Sequence, residues 1–139
     1  MGAAFIALVD DEVAASPWEQ ELYRMAVPPE MEVRFESVAD AARAYAGWAA
    51  DPRPGILLTG SIDAMAHLAE RVPAIRAVNL GGVHRSAGRA ERLRYIYLTP
   101  DEERALLALA ARGVAVTAQD VPTGEAVPLT ALLAGRGAA

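Results

Sequence analysis

Cysteine is absent from the 139 residues, and so is lysine. Without cysteine there is no disulfide, no thiol nucleophile and no Cys-held metal. Without lysine there is no Schiff base and no P-loop lysine. All 13 basic residues are therefore arginine. No apolar run comes near the roughly 20 residues of a membrane-spanning helix, so direct membrane insertion is not expected. The first ten residues lack the basic region of a signal peptide and read as a strand, which makes the cytoplasm the default. A net charge of −5 argues against nucleic acid as a partner. There is no internal repeat. What the chain has in quantity is apolar surface, 53% of its residues, enough to exclude disorder and build a core. The expectation is one domain over residues 1–133 and a frayed tail over 134–139.

Apolar residues come in short blocks. Residues 5–9 are continuously apolar, the mark of a strand buried on both faces. Ser16-Pro17-Trp18-Glu19 starts a helix: Ser16 caps it, Pro17 suits its first turn and Glu19 completes a capping box. Trp18, Leu22, Met25 and Ala26 share one face of that helix. Residues 32–35 alternate charge with Val33 and Phe35, which predicts an edge strand. Ser37 caps a second helix, to about Trp48. Residues 56–59 form a third strand, and Ser61 caps the helix that follows, with Ile62, Met65, Ala66 and Ala69 inward. Residues 76–79, 93–98 and 114–118 are further strands. Thr99-Pro100-Asp101-Glu102 opens a helix that Gly113 ends. Residues 128–133 form a closing helical turn. Alternating strands and helices predict an α/β fold: a doubly wound, mostly parallel sheet of about six strands with helices on both faces. The strand at 5–9 is expected between those at 32–35 and 56–59, with the fourth strand beside the third.

In such a sheet, ligands sit beyond the carboxyl ends of the strands. That rim collects Thr59, Ser61, Asn79, Gly81, Gly82, His84 and Arg85. Glycine amides, a hydroxyl and positive charge suit a phosphate or an acidic partner. The plainer reading of residues 79–89 is a long connecting loop turned by its glycines. Asp10 and Asp11 follow a strand as a magnesium-binding pair would. The third strand ends in Thr59 rather than a phosphoacceptor aspartate, however, so they read as stabilising the next helix N-terminus. His67 has no second histidine at ligand spacing and reads as a structural or surface residue. No G-x-S-x-G or G-x-G-x-x-G motif occurs. No metal site or cofactor is expected.

Five segments in register carry a resemblance. They are Leu8-Val9-Asp10-Asp11-Glu12-Val13-Ala14, Met25-Ala26-Val27-Pro28-Pro29, Asn79-Leu80-Gly81-Gly82-Val83-His84 with Gly88-Arg89, Ala111-Arg112-Gly113-Val114, and Val121-Pro122-Thr123. The chain resembles the IIB component of the mannose/fructose/sorbose family of the bacterial sugar phosphotransferase system. That resemblance implies a cytoplasmic phosphocarrier. It would take a phosphoryl group from IIA on a histidine and pass it to a sugar held by the membrane components IIC and IID. The family's histidine lies in an Asp-Arg-Leu-Ile-His-Gly-Gln loop after its first strand, and this chain has no counterpart. Neither His67 nor His84 takes its place in the order of elements, so no catalytic residue is assigned. The chain as written reads either as a truncated version of an active IIB or as a non-catalytic relative. The reading from a different class is a phosphate- or partner-sensing α/β domain. The sugar and any self-association stay open.

Overall fold

The computed structural model of the protein describes residues 4–53, 55–121 and 123–134. Residues of the expected tail beyond 134 lie outside that set, as does Pro122 of the fifth resembling segment. The chain divides into two compact units, Met1–Val72 and Pro73–Ala139.

The first unit contains β1 (Phe5–Val9), α1 (Asp11–Ala14), α2 (Pro17–Ala26), β2 (Glu32–Glu36), α3 (Val38–Ala50), β3 (Gly55–Thr59) and α4 (Ile62–Arg71). Its sheet has the order β2-β1-β3, all parallel. Phe5 pairs with Glu32 on one side and Gly55 on the other; Val9 pairs with Glu36 and Thr59. This is the expected placing of the three strands. The central strand is the most apolar, and Ala7, Leu8 and Val9 are buried along it. A Cβ on Gly55 would lie 2.2 Å from Cζ of Phe5, so any side chain there must displace that ring. Over the same ring lies the Arg34 guanidinium, 4.0 Å from its centroid. Arg34 and Arg53 bridge Glu32 and Asp51 around it. Hydrogen bonds from the Arg53 side chain and amide hold the Asp51 carboxyl well below the usual carboxylate range.

Short polar side chains start the helices. Ser16, Ser37 and Ser61 each accept from the amide three residues on. Asp10 and Asp11 do as the helix-terminus reading expects. Asp10 accepts from the amides of Glu12 and Val13, capping α1, and Asp11 reaches across to the Val38 amide at the start of α3, at 2.9 Å. The capping box at Ser16 is only half made. The Ser16 amide already donates to the Val13 carbonyl that ends α1, which leaves Glu19 no donor to reach. Helix α2 buries none of its residues. Tyr23 and Arg24 lean on Phe35 of β2, and Gln20 holds the carbonyls of Val13 and Ala14. The Trp18, Leu22 and Met25 face is left to solvent.

The second unit contains β4 (Ala77–Leu80), β5 (Ala90–Leu93), β6 (Ile96–Leu98), α5 (Pro100–Ala111), β7 (Ala115–Ala118), β8 (Val127–Pro128) and α6 (Leu129–Ala134). β4 pairs with β7 in parallel, and β8 joins β7 antiparallel. The expected strand over residues 93–98 is instead a hairpin. β5 and β6 run antiparallel around Arg94 and Tyr95, with an irregular register at Glu91 and Leu93. The physical reason is Arg92, whose Nε donates to the buried Glu103 of α5 at 2.6 Å and draws the chain back along that helix. Ile96, Leu98, Leu106, Leu109, Val116, Leu132 and Leu133 are buried in this unit. Each such large side chain is worth about 1.5–3 kcal/mol relative to exposure. Thr99 and Glu102 form the complete capping box. Gly113, at φ +95°, ends α5, with its amide on Ala110 and that of Val114 on Leu109.

The fold is α/β, as expected. The strands form sheets of three, three and two, rather than one sheet of about six, and the fourth strand pairs with β7, not β3.

Candidate functional site

The expected rim residues divide between the units, and each group has its own local structure. In the first unit, Thr59 ends β3 and Ser61 caps α4. The Thr59 hydroxyl donates to the Ser61 carbonyl at 3.0 Å, and the Ser61 Oγ accepts from the Ala64 amide at 3.0 Å. Both hydroxyls therefore serve the turn from strand to helix.

In the second unit, Asn79 lies on β4. Its Nδ2 donates to the Gln119 carbonyl at 3.1 Å, while the Gln119 amide donates to Leu80, which ties the end of β4 to the end of β7. Gly81 and Gly82 follow, both exposed. The expectation that they supply positive φ is corrected: among the described residues only Gly88, at +82°, and Gly113 do so. A Cβ on Gly81 or Gly82 would meet nothing nearer than 3.9 Å. The chain's own packing thus does not require glycine at either position, and the open space above their backbone is available to another group.

Val83 anchors the loop. Its amide donates to Tyr95 and its carbonyl accepts from Tyr97, setting it beside β6. His84 is exposed, and its carbonyl accepts from Arg89 at 2.8 Å. Its imidazole has no hydrogen-bond or ion-pair partner among the described residues. Arg85 is exposed and makes no ion pair among them. Arg89 differs from Arg85. Its guanidinium grips both oxygens of Glu102 at 3.1 and 2.8 Å, while Glu102 also accepts from the Thr99 amide. Partial burial raises the Glu102 pKa, but Arg89 and Thr99 outweigh that and hold it below its ordinary value. One arginine of the stretch is thus structural and one is free. Sequence reasoning missed this division, and it missed the Arg92–Glu103 pair. The usable signal was adjacent Glu102 and Glu103 opening a helix next to an arginine-rich hairpin.

His67 is exposed on α4, as the surface reading expects. Among the described residues no cluster of three or more His, Asp or Glu could hold a metal. No helix among them is long and apolar enough to cross a membrane.

The sequence model described as PTS system sorbose subfamily IIB component matches residues 3–138. The chain belongs to that family. No match is found among individually curated proteins. Solved IIB structures are similar throughout the chain. The IIBSor domain of the sorbose permease from Klebsiella pneumoniae has a TM-score of 0.85 at 21% identity, covering 95% of this chain and 81% of that one. The manxB structure from Thermoanaerobacter tengcongensis has a TM-score of 0.84 at 28% identity, covering 94% and 80%. The N-acetylgalactosamine-specific IIB component 1 from Escherichia coli has a TM-score of 0.83 at 26% identity, covering 91% and 82%.

Proposed function

We propose that this chain works in the cytoplasm as a IIB module of a sugar phosphotransferase system that engages its partners without carrying the phosphoryl group on its own residues. The partners in this reading are a IIA phosphodonor and the membrane components IIC and IID, and the group handled is a phosphoryl destined for a sugar. One observation carries the reading: a family match over residues 3–138 in a chain whose two histidines both stand outside the acceptor's place in the order of elements. Phosphoryl relay needs an imidazole held in line with its donor, and a displacement of 1 Å can already cost about 100-fold. The His84 ring has no group among the described residues to orient it, and His67 projects from the middle of α4.

The loop at Gly81, Gly82, His84 and Arg85 is proposed as the contact for a phosphate-bearing or acidic surface. Thr59, Ser61 and Asn79 frame their own strand ends and contribute position rather than charge. The test is calorimetric titration with IIA. Binding is expected, weakened about tenfold by Arg85→Ala. Absence of IIA binding would contradict the reading.

A second reading, a phosphate- or partner-sensing domain outside sugar transport, draws on the same free Arg85. It predicts amide shifts confined to residues 81–85 on phosphate titration, with no response to IIA.

A further inference from the structure

We propose that the outer edge of β3 is a docking site for an apolar β-strand from a separate polypeptide. The proposal rests on the family reading only for its choice of probe. The sheet β2-β1-β3 has two edges, and they are built differently. β2 carries Glu32, Arg34 and Glu36 in alternation, and its charges are tied into the pairs with Asp51 and Arg53. Charge of this kind keeps a strand edge from pairing with another chain. β3 reads Gly-Ile-Leu-Leu-Thr, without a charge, and it pairs with β1 alone. Ile56 and Leu58, two residues apart and so on one face, remain 44% and 45% exposed. On the other side of the sheet, a cavity of about 170 Å³ opens between α3 and the strands. It is lined by Tyr45, Trp48, Phe5, Gly55 and Leu57 among others.

An added strand alternates its side chains between the two faces of the sheet. Along β3, one set would cover Ile56 and Leu58 while the other turns toward the cavity beside Tyr45 and Trp48. Main-chain bonds and alternating pockets together are the usual terms of strand addition. This chain's own residues outside the described set do not supply the strand. They fall in runs of five or fewer, and the longest, Gly135-Arg136-Gly137-Ala138-Ala139, is glycine-rich and charged. A source of suitable length exists in the relatives. The match covers 81% of the Klebsiella sorbose IIB chain, which leaves about a fifth of that chain as additional sequence.

The probe is a fluorescein-labelled peptide of the part of the Klebsiella domain that this chain does not match, followed by anisotropy on the full chain. Saturable binding is expected, weakened about tenfold or more by Ile56→Lys with Leu58→Lys and unchanged by Leu107→Lys, an exposed leucine of α5. Hydrogen exchange at residues 55–59, slowed by the peptide in the unmutated chain, gives a readout independent of the variants. No binding, or binding that ignores the lysines and leaves exchange at 55–59 unchanged, overturns the proposal. So does a dimer in light scattering that the lysines dissociate, since the edge would then belong to a second copy. Peptide binding without IIA binding leaves the docking site standing and removes the phosphotransferase reading. IIA binding without peptide binding does the reverse.

Discussion

The β3–α4 turn and the loop from Gly81 to Arg85 each follow a parallel strand, and each holds residues that the sequence assigns to a ligand. They use their polar groups in opposite ways. In the turn, the hydroxyls of Thr59 and Ser61 are spent on the Ser61 carbonyl and the Ala64 amide. In the loop, the backbone is fixed by Val83 and Arg89, while the side chains of His84 and Arg85 are left without partners among the described residues. A strand-end hydroxyl beside a helix is therefore weaker evidence of a ligand than an arginine whose neighbours all have other partners. The turn should respond to mutation in stability and the loop in binding.

The largest expected effect comes from the residue that fixes the loop. Arg89→Ala removes a two-pronged, part-buried pair with Glu102 and the hold on the His84 carbonyl. The cost should be about 1–3 kcal/mol in urea denaturation. A loss no larger than that of an exposed-arginine control such as Arg85→Ala would place the loop's anchor elsewhere.

The same pair predicts a pH response. Glu102 has a folded pKa below its unfolded one. Its contribution is present above the unfolded value, near pH 4–5, and is lost as pH falls through the lowered folded value. The stability gap between the unmutated chain and Arg89→Ala should be constant from pH 8 to about 6 and shrink below about pH 4. A gap that widens in acid would reverse the sign of the argument.

Sequence patterns exposed much of this, and their failures have physical causes. The strand order β2-β1-β3 followed from an apolar run flanked by a charged alternation and a second apolar run. Caps at Ser16, Ser37, Ser61 and Thr99 followed from short hydroxyl side chains ahead of apolar periodicity. The hairpin at Arg94 and Tyr95 was hidden because its cause is a long-range ion pair, Arg92 with Glu103, which local periodicity does not show. The outward face of α2 was hidden for a related reason. Periodicity finds an apolar stripe, but the sheet is met instead by Tyr23 and Arg24 on Phe35. Within the candidate site, residue types were legible, and their availability was not. Nothing in Arg85 and Arg89 as letters says that only the second has Glu102.

A smaller effect separates the two regions more finely. Ser61→Ala should cost about 0.5–2 kcal/mol, the usual loss of a helix cap, and leave IIA affinity unchanged. His84→Ala and Arg85→Ala should stay within about 0.5 kcal/mol of the parent in stability, as exposed positions do. Their effect belongs in binding. Weakened IIA affinity in Ser61→Ala, with stability intact, would bring the turn into the site after all.

The central claim is that a member of the IIB family is present here without a phosphoryl acceptor of its own. Incubating the full chain with phosphorylated IIA and measuring acid-labile phosphate on it tests that claim directly. The account predicts IIA binding and no labelling. Stoichiometric labelling that disappears in His84→Ala would contradict it and make the free imidazole of the Gly81–Arg85 loop a phosphocarrier.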